Sequence, residues 1–318
     1  MKIMEKEDNI RVGVIGLGTI ANAIYLPILS ELEKVEISAV MCRTESTMRK
    51  VVSKFGAKKV RFSLKEFVET HLDCAFILTP KDAHTQYVIP LLEEGIDVFC
   101  EKPMAMSLEE ASRMVEVAEE TQRILMIGFN RRYAPVYTHA KEVFKEKSPD
   151  VCFLEKNRPD TEYRASFENA IHMVDLMRWY CGECKELQAY SQFEDPYYET
   201  NLTAQLRFSN GSIGLLLASR TAGQWMERAQ IYGGNKTVIV ECPERVRVYN
   251  PQNEVSIATT PLAMGWADVK ENLGFRKEVE TFLECIKTRN QPSTRATDAL
   301  KTHILMDKIL RQASLPGL

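Results

Sequence analysis

Four groups of residues in this chain have the types and spacing that chemistry needs. Gly16, Leu17, Gly18, Thr19, Ile20 and Ala21 follow a short apolar run at residues 11–15 and precede a helix-like stretch. The first glycine suits a tight turn, and the second lets a pyrophosphate approach the backbone. A small third residue, here Ala21, lets helix and strand pack closely. The helix N-terminus then offers N–H groups and a positive dipole end to phosphate. Placed after the first strand of a strand–helix–strand unit, the turn predicts a dinucleotide site at Gly16, Gly18, Thr19, Ile20 and Ala21. The second group, Cys42, Arg43 and Thr44, ends the next strand. An NAD site usually has an acid there for the ribose 2′-hydroxyl. Here Cys42 takes that place, and Arg43 lies beside the hydroxyls of Thr44 and Ser46, a set suited to a 2′-phosphate. The reading is NADP(H). NAD(H) is the competing reading, with Glu45 reaching back to a ribose or Arg43 as a solvated strand-end cation.

The third group is Glu101, Lys102 and Pro103, at the mouth of the apolar run Val98, Phe99 and Cys100. A turn accounts for Pro103, which fixes φ and lacks a donor. It does not account for an acid and a base delivered to the end of a core strand, where ligands of open α/β sheets bind. A cation there can hydrogen-bond a substrate oxygen, and an oxidised nicotinamide nearby lowers its pKa. A cis Lys102–Pro103 bond is a further expectation. The fourth group is Glu168, His172 and Asp175, at i, i+4 and i+7, so one helical face is expected to present all three. A carboxylate one turn from a histidine can fix its tautomer and raise its basicity. The competing reading of His172 is a packed histidine on a largely apolar helix with Ile171, Val174, Leu176 and Trp179.

These residues need elements to position them. Strands are expected at residues 11–15, 36–41, 74–78, 98–100 and 124–127, alternating with helices at 19–33, 45–55 and from Ser107 to about Thr121. Thr79 as N-cap with Pro80 at the first helical position predicts a further helix start, and Ser107 with Glu110 reads as a capping box. The pattern implies an N-terminal doubly wound parallel sheet, residues 1–127. Beyond it come helices at 136–145 and 167–180 and strand-like runs at 187–193, 202–208, 212–219, 229–232, 237–241 and 245–249, with Asn210 and Gly211 as a hairpin turn. Residues 128–318 are therefore expected to form an α+β domain on a largely antiparallel open sheet, with a helical tail at 275–287 and 298–312. The fold class is α/β.

Composition narrows the function. The chain has 318 residues, long for one core, with 45% hydrophobic and 27% charged residues and a net charge of −3. No basic run favours nucleic acid or an acidic membrane surface, and no apolar stretch approaches the roughly 20 residues of a bilayer span. The charged N-terminal stretch lacks the apolar core of a signal peptide. Eight cysteines, several in apparent strands, read as reduced thiols. The expectation is a cytoplasmic protein without a metal.

The combination resembles the Gfo/Idh/MocA family of oxidoreductases, which includes glucose–fructose oxidoreductase and inositol dehydrogenase. The resemblance spans nearly the whole chain and rests on the glycine turn, Thr79-Pro80 with His84, and Glu101-Lys102-Pro103 preceded by Gly95-Ile96-Asp97-Val98. Arg131 to Pro135 and His172 to Asp175 add to it. It implies a Rossmann domain followed by an α/β domain often used for dimerisation, hence a homodimer or homotetramer through the C-terminal sheet. It also implies hydride transfer between a nicotinamide and a carbinol or carbonyl carbon of a sugar, inositol or related polyol. By position, Lys102 lies near nicotinamide and substrate, His172 is the acid/base, and Glu168 is the carboxylate one turn before it. The family's usual Asp-x-Gly-x-His is here Glu168-Asn169-Ala170-Ile171-His172. Thr79, Pro80 and His84 are implied to lie along the cofactor, although His84 also reads as a surface residue of a first helical turn. Arg131 and Arg132 follow the last strand of the first domain and read as substrate-binding residues or as a tie between the domains, with Arg131 also expected at the cofactor.

Weaker signals remain. Cys181 and Cys184 form a C-x-x-C with no second pair, so two free thiols at a helix end is the plain reading. Trp179 and Trp225 read as core or interface residues, and Arg158, Tyr163 and Arg164 as pocket-lining ones. Two rival functions stand beside the dehydrogenase: a non-catalytic dinucleotide-binding regulator, and a glycoside-cleaving enzyme that uses NAD transiently. An intact Lys102 and His172 argue against the first.

Overall fold

The computed structural model describes residues 9–159, 165–195, 198–259, 264–266, 268–315 and 317. The chain divides into two compact units, residues 1–128 with 278–298, and residues 129–277 with 299–318. The fold is α/β. The first unit is built on a six-stranded sheet and the second on an eight-stranded one.

In the first unit, β1 (Ile10–Ile15) leads through a wide helical turn (Ala21–Tyr25) into α1 (Leu26–Glu31). Next come β2 (Val35–Met41), α2 (Glu45–Phe55), β3 (Lys59–Arg61), α3 (Leu64–Val68) and β4 (Cys74–Ile77). The unit continues with α4 (His84–Glu93), β5 (Asp97–Glu101), α5 (Leu108–Glu120) and β6 (Leu125–Gly128). The strand order is β3-β2-β1-β4-β5-β6, and every pairing is parallel. β4 is apolar and buried along its whole length, as a strand covered on both faces must be. The expected capping box at Ser107 is present, with its hydroxyl accepting from the Glu110 N–H at 3.1 Å.

The expectation at Thr79 is corrected. Residues Lys81–Ala83 form one 3-10 turn, and α4 starts only at His84. Pro80 has ψ 145°, which no helical position allows, so Thr79 caps nothing. The first helix also ends at Glu31, before the expected residue 33.

The second unit begins with α6 (Pro135–Val143), β7 (Val151–Asn157), α7 (Ala170–Cys181) and β8 (Cys184–Asp195). It continues with β9 (Tyr198–Phe208), β10 (Ile213–Ser219), β11 (Met226–Gly233), β12 (Lys236–Glu241), β13 (Arg245–Tyr249) and β14 (Glu254–Ala258). The sheet order is β14-β13-β12-β11-β7-β10-β9-β8, antiparallel except for the parallel β7–β10 pair. Gly211, with φ 91°, makes the expected hairpin between β9 and β10. Burial alternates along β10 and β11, and α7 packs on the β7–β10 pair. Tyr190, Leu215 and Tyr232 stay exposed.

Three helices follow: the short α8 (Val269–Asn272) and the longer α9 (Phe275–Thr288) and α10 (Ala296–Gln312). Most of α9 packs with the first unit, where Phe282 joins the Phe76 and Phe99 rings at 5.4 and 5.7 Å. The residues after α9 cover the open side of β6. The Ile127 N–H donates to the Thr294 carbonyl at 2.9 Å, and Arg289 pairs with Asp97. An edge strand with unpaired backbone groups is thereby closed. Among the described residues no helix is long and apolar enough to cross a membrane.

Candidate active site

In the first unit the site is made by backbone conformation. Gly16 has φ 91°, and a Cβ placed on it would lie 2.5 Å from the Leu78 carbonyl carbon and the Thr79 nitrogen. Only glycine permits both the left-handed turn and this contact. A Cβ on Gly18 would meet nothing within 4 Å, and Gly18 and Thr19 are exposed while Ala21 is fully buried. The turn is latched by Asn22, whose amide donates to the carbonyls of Leu17 at 2.7 Å and Gly18 at 3.0 Å. Open space above a glycine at a helix start is what a pyrophosphate needs, so a nicotinamide dinucleotide fits the residues present.

At the end of β2, Arg43 is exposed and makes no ion pair among the described residues. Glu45 instead receives the guanidinium of Arg49 at 2.9 Å, one turn along α2. Cys42 donates to the Thr44 carbonyl at 3.3 Å, and Thr44 precedes α2 without a side-chain cap.

At the end of β5, Glu101 accepts from the Tyr25 hydroxyl at 2.6 Å and from the Lys102 backbone N–H at 2.9 Å. Tyr25 is wholly buried, with its ring against Phe99 at 5.4 Å and Phe76 at 6.1 Å. Burial, then the nearby Glu101 and Glu278 carboxylates, push its hydroxyl pKa up, so it remains a donor. The Lys102–Pro103 bond is cis, as expected. His84 is only 1% exposed, which overturns its reading as a surface residue. Its Nδ1 lies 2.9 Å from the Pro103 carbonyl and its Nε2 3.1 Å from the Thr79 carbonyl. The Thr79 hydroxyl is buried without a hydrogen-bond partner among the described residues.

In the second unit the site is made by buried charge. His172 is 5% exposed, in the first turn of α7, with its ring edge-on to Phe129 at 6.4 Å. The expectation of one regular face for Glu168, His172 and Asp175 is corrected. α7 starts at Ala170, and Glu168 lies in a wide turn, Ala165–Asn169, so helical spacing joins only His172 and Asp175. The Asp175 carboxylate accepts from Arg132 Nε at 2.7 Å and Nη2 at 2.6 Å, and from the Thr302 hydroxyl at 2.9 Å. Arg178 donates to Thr302 at 2.9 Å and to Glu183 at 2.9 Å, extending the chain of bonds. Asp175 thus holds Arg132.

Arg131 faces a second buried cluster. Its Nε and Nη2 donate to the two Glu227 oxygens at 2.7 and 2.8 Å, Tyr137 adds a bond at 3.1 Å, and Lys156 lies 3.2 Å from the same carboxylate. Burial opposes the charge on Glu227, but Arg131 and Lys156 outweigh it and hold the carboxyl well below the usual range. Burial likewise opposes the charge on Arg131, and Glu227 reverses that and raises its pKa. The expected contact of Arg131 with cofactor gives way to a bond network inside the second unit. Arg158 is half-buried, its backbone bonded to the Ser219 carbonyl at 2.9 Å. Tyr163 and Arg164 lie outside the described residues. Cys181 and Cys184 are free thiols, Trp179 stacks under Lys141, and Trp225 is 38% exposed.

Sequence reasoning missed Tyr25, Asn22, Glu227, Lys156 and Thr302. Asn22 stands four residues after Gly18, a local signal for a turn latch. The others bond to partners 71 to 127 positions away or sit in strands without a motif, and nothing local marks them.

Known proteins share both units. Residues 10–129 match the model of the oxidoreductase family with an NAD-binding Rossmann fold, and residues 152–239 match the GFO/IDH/MocA C-terminal domain. The putative oxidoreductase YceM of Salmonella typhimurium is 24% identical, over 96% of this chain and 98% of that protein. The myo-inositol 2-dehydrogenase of Thermotoga maritima is 23% identical over 91% of each. An Agrobacterium radiobacter oxidoreductase, solved with NAD+, L-tartaric acid and magnesium, shares the fold with a TM-score of 0.87 at 20% identity, over 96% of both chains. With a glycine turn shaped for a dinucleotide and both units matched, the chain belongs to the Gfo/Idh/MocA family of NAD-binding oxidoreductases.

Proposed function

We propose that this oxidoreductase is an NADP(H)-dependent dehydrogenase or reductase acting at a carbinol or carbonyl carbon of a sugar, inositol or related polyol. The observation that carries the reading is the glycine turn, with Gly16 seated on Leu78 and Thr79 and open space over Gly18. Gly16 to Ala21 would hold the pyrophosphate, Thr79 and Pro80 would line the cofactor, and Arg43 with Thr44 would take the 2′-phosphate. The exposed Arg43 supports NADP(H), as does the tie between Glu45 and Arg49, which competes with any reach toward a ribose. The polyol class is supported by the named activity of the myo-inositol 2-dehydrogenase relative.

When bound, the nicotinamide supplies or accepts the hydride. The chain must fix the substrate oxygen and move one proton. Lys102 donates a hydrogen bond to that oxygen, and its backbone is fixed through Glu101 and Tyr25. His172 takes the proton in oxidation and returns it in reduction, and Glu168 would set its tautomer from the wide turn that precedes α7, without the regular helical spacing first expected. Asp175 keeps Arg132 in place beneath the start of the same helix. The exposed sheet face with Tyr190, Leu215 and Tyr232 is the surface through which we expect a homodimer or homotetramer to form.

The test is direct. Protein is mixed with NADP+ or NAD+ and a panel of inositols, aldoses and ketoses, and the absorbance of reduced nicotinamide is followed. Net reduction with at least one polyol, faster with NADP+ than with NAD+, is expected. Bound cofactor with no net reduction across the panel sinks the dehydrogenase reading.

A further inference from the structure

We infer that His84 is a positioning residue that fixes the Lys102–Pro103 segment through a hydrogen bond from its Nδ1–H to the Pro103 carbonyl. The inference rests on the reading of Lys102 as the residue that engages the substrate oxygen.

The geometry carries it. His84 begins α4, yet it is almost wholly buried and points both ring nitrogens at backbone carbonyls, Pro103 at 2.9 Å and Thr79 at 3.1 Å. Those carbonyls belong to the loops that follow two neighbouring strands, β4 and β5. The Thr79 loop is the one on which Gly16 sits, so a single imidazole joins the floor of the glycine turn to the residue after Lys102. Lys102 is thus held on both sides along the chain. Its own N–H is bonded to Glu101, and the next residue's carbonyl accepts from His84. Burial lowers the pKa of the ring while the two carbonyls raise it, the Pro103 bond first among them. A neutral imidazole has one N–H to give, and the proposed tautomer carries it on Nδ1, toward the nearer of the two carbonyls. A residue that serves only the cofactor or only solvent has no need of this orientation.

Two conservative variants separate the ring nitrogens. Asn places an amide N–H near the Nδ1 position, whereas Gln places one near Nε2. The readout is the NMR signal of Lys102 after reductive methylation of lysines with 13C-formaldehyde, assigned by its loss in K102R, and it needs no substrate. In wild type and His84→Asn the signal is expected outside the cluster of solvent-exposed lysines, and in His84→Gln it is expected to move into that cluster. In parallel, kcat on the best panel substrate should fall about tenfold to hundredfold in His84→Gln and less than about threefold in His84→Asn, as a loss of alignment without loss of groups predicts. The KM for NADPH should stay within about threefold in both. A Lys102 signal unmoved in His84→Gln, or equal damage in both variants, overturns the inference. Full activity in Lys102→Ala overturns the reading of Lys102 instead, and leaves the effect of His84 on the lysine signal to stand or fall separately.

Discussion

The first unit holds its polar groups with backbone, and the second holds them with charge. Around Gly16, Thr79 and Pro103 the determining features are one left-handed φ, two carbonyls on one imidazole, and an acid bonded to its neighbour's N–H. Around Arg131 and Arg132 they are two buried guanidinium–carboxylate pairs, joined 96 and 43 positions apart. Backbone devices are rigid and short-range, suited to a cofactor that is the same in every turnover. Buried ion pairs fix a side chain only while both partners keep their charge, so that side should respond to pH and to single neutralising changes. The largest effect expected from breaking either side belongs to the backbone-held one. Lys102→Ala should lower kcat by about 10²- to 10⁴-fold, the range of a lost acid–base or hydrogen-bonding group, with NADPH affinity nearly unchanged. Fluorescence titration of NADPH beside steady-state turnover checks both halves, and full turnover removes Lys102 from the chemistry.

The charge-held side breaks differently. Glu227→Gln leaves Arg131 and Lys156 buried against a neutral amide, a loss of about 3–5 kcal/mol by the usual cost of an orphaned buried charge. The pH dependence follows from the lowered pKa of Glu227. A carboxyl whose folded pKa lies below its unfolded value, about 4.3, contributes its full stability above that value and loses it as pH falls toward the folded pKa. The gap between wild type and Glu227→Gln in urea unfolding should therefore be widest near neutral pH and shrink below about pH 4.3. A gap that stays constant down the acid limb would place the stabilisation elsewhere than in the charge.

The same contrast explains what could be read from sequence. Gly16 and Gly18, Pro103 and the Ser107 cap were legible because each is a local answer to a local demand, and the structure shows each device in place. Most strands of both sheets were legible from apolar runs and one hairpin turn. The exceptions are β3 and β14, which are short or fully exposed and carry little burial signal, and β7, whose apolar start runs into Glu155, Lys156 and Asn157, polar residues that are nevertheless buried. Thr79 misled because a Thr-Pro pair serves an extended turn as well as a helix start, and Pro80 takes the extended choice. Glu168 misled because helical spacing was assumed across a wide turn. The partners of Arg131 and Arg132 were not legible at all. Charge complementarity at long range leaves no periodicity and no motif, and Glu227 reads as any other acid on a strand.

Two glycines sharpen the backbone side at a smaller scale. Gly18→Ala meets no atom within 4 Å, so stability should change by no more than about 1 kcal/mol, the ordinary Gly-to-Ala range. Its methyl would nevertheless occupy the space over the turn, and NADPH affinity should fall about tenfold or more. Gly16→Ala forces a left-handed alanine into the Leu78–Thr79 backbone and should lose both stability and binding. Thermal unfolding with a cofactor titration separates the two. Equal behaviour of both variants would mean that the open space over Gly18 is not where the pyrophosphate lies.

The smallest expected effect tests the cofactor choice, and with it whether the first unit ever relies on charge. Arg43 is exposed, so its contact with a 2′-phosphate would be a charge-assisted bond in partial solvent, worth about 1–1.4 kcal/mol and screened by salt. Arg43→Ala should therefore raise the KM for NADPH about fivefold to tenfold, leave that for NADH within about twofold, and lose most of the difference at high ionic strength. Neighbouring Glu45 supplies the counter-test. Its tie to Arg49 sets it against a ribose hydroxyl, so Glu45→Gln should leave NADH kinetics unchanged. If instead Arg43→Ala is silent and Glu45→Gln weakens NADH, the end of β2 reads an unphosphorylated ribose through an acid, and the preference is for NAD(H). In the expected case an exposed arginine discriminates between cofactors because the phosphate brings the opposite charge with it, and no buried pair is needed.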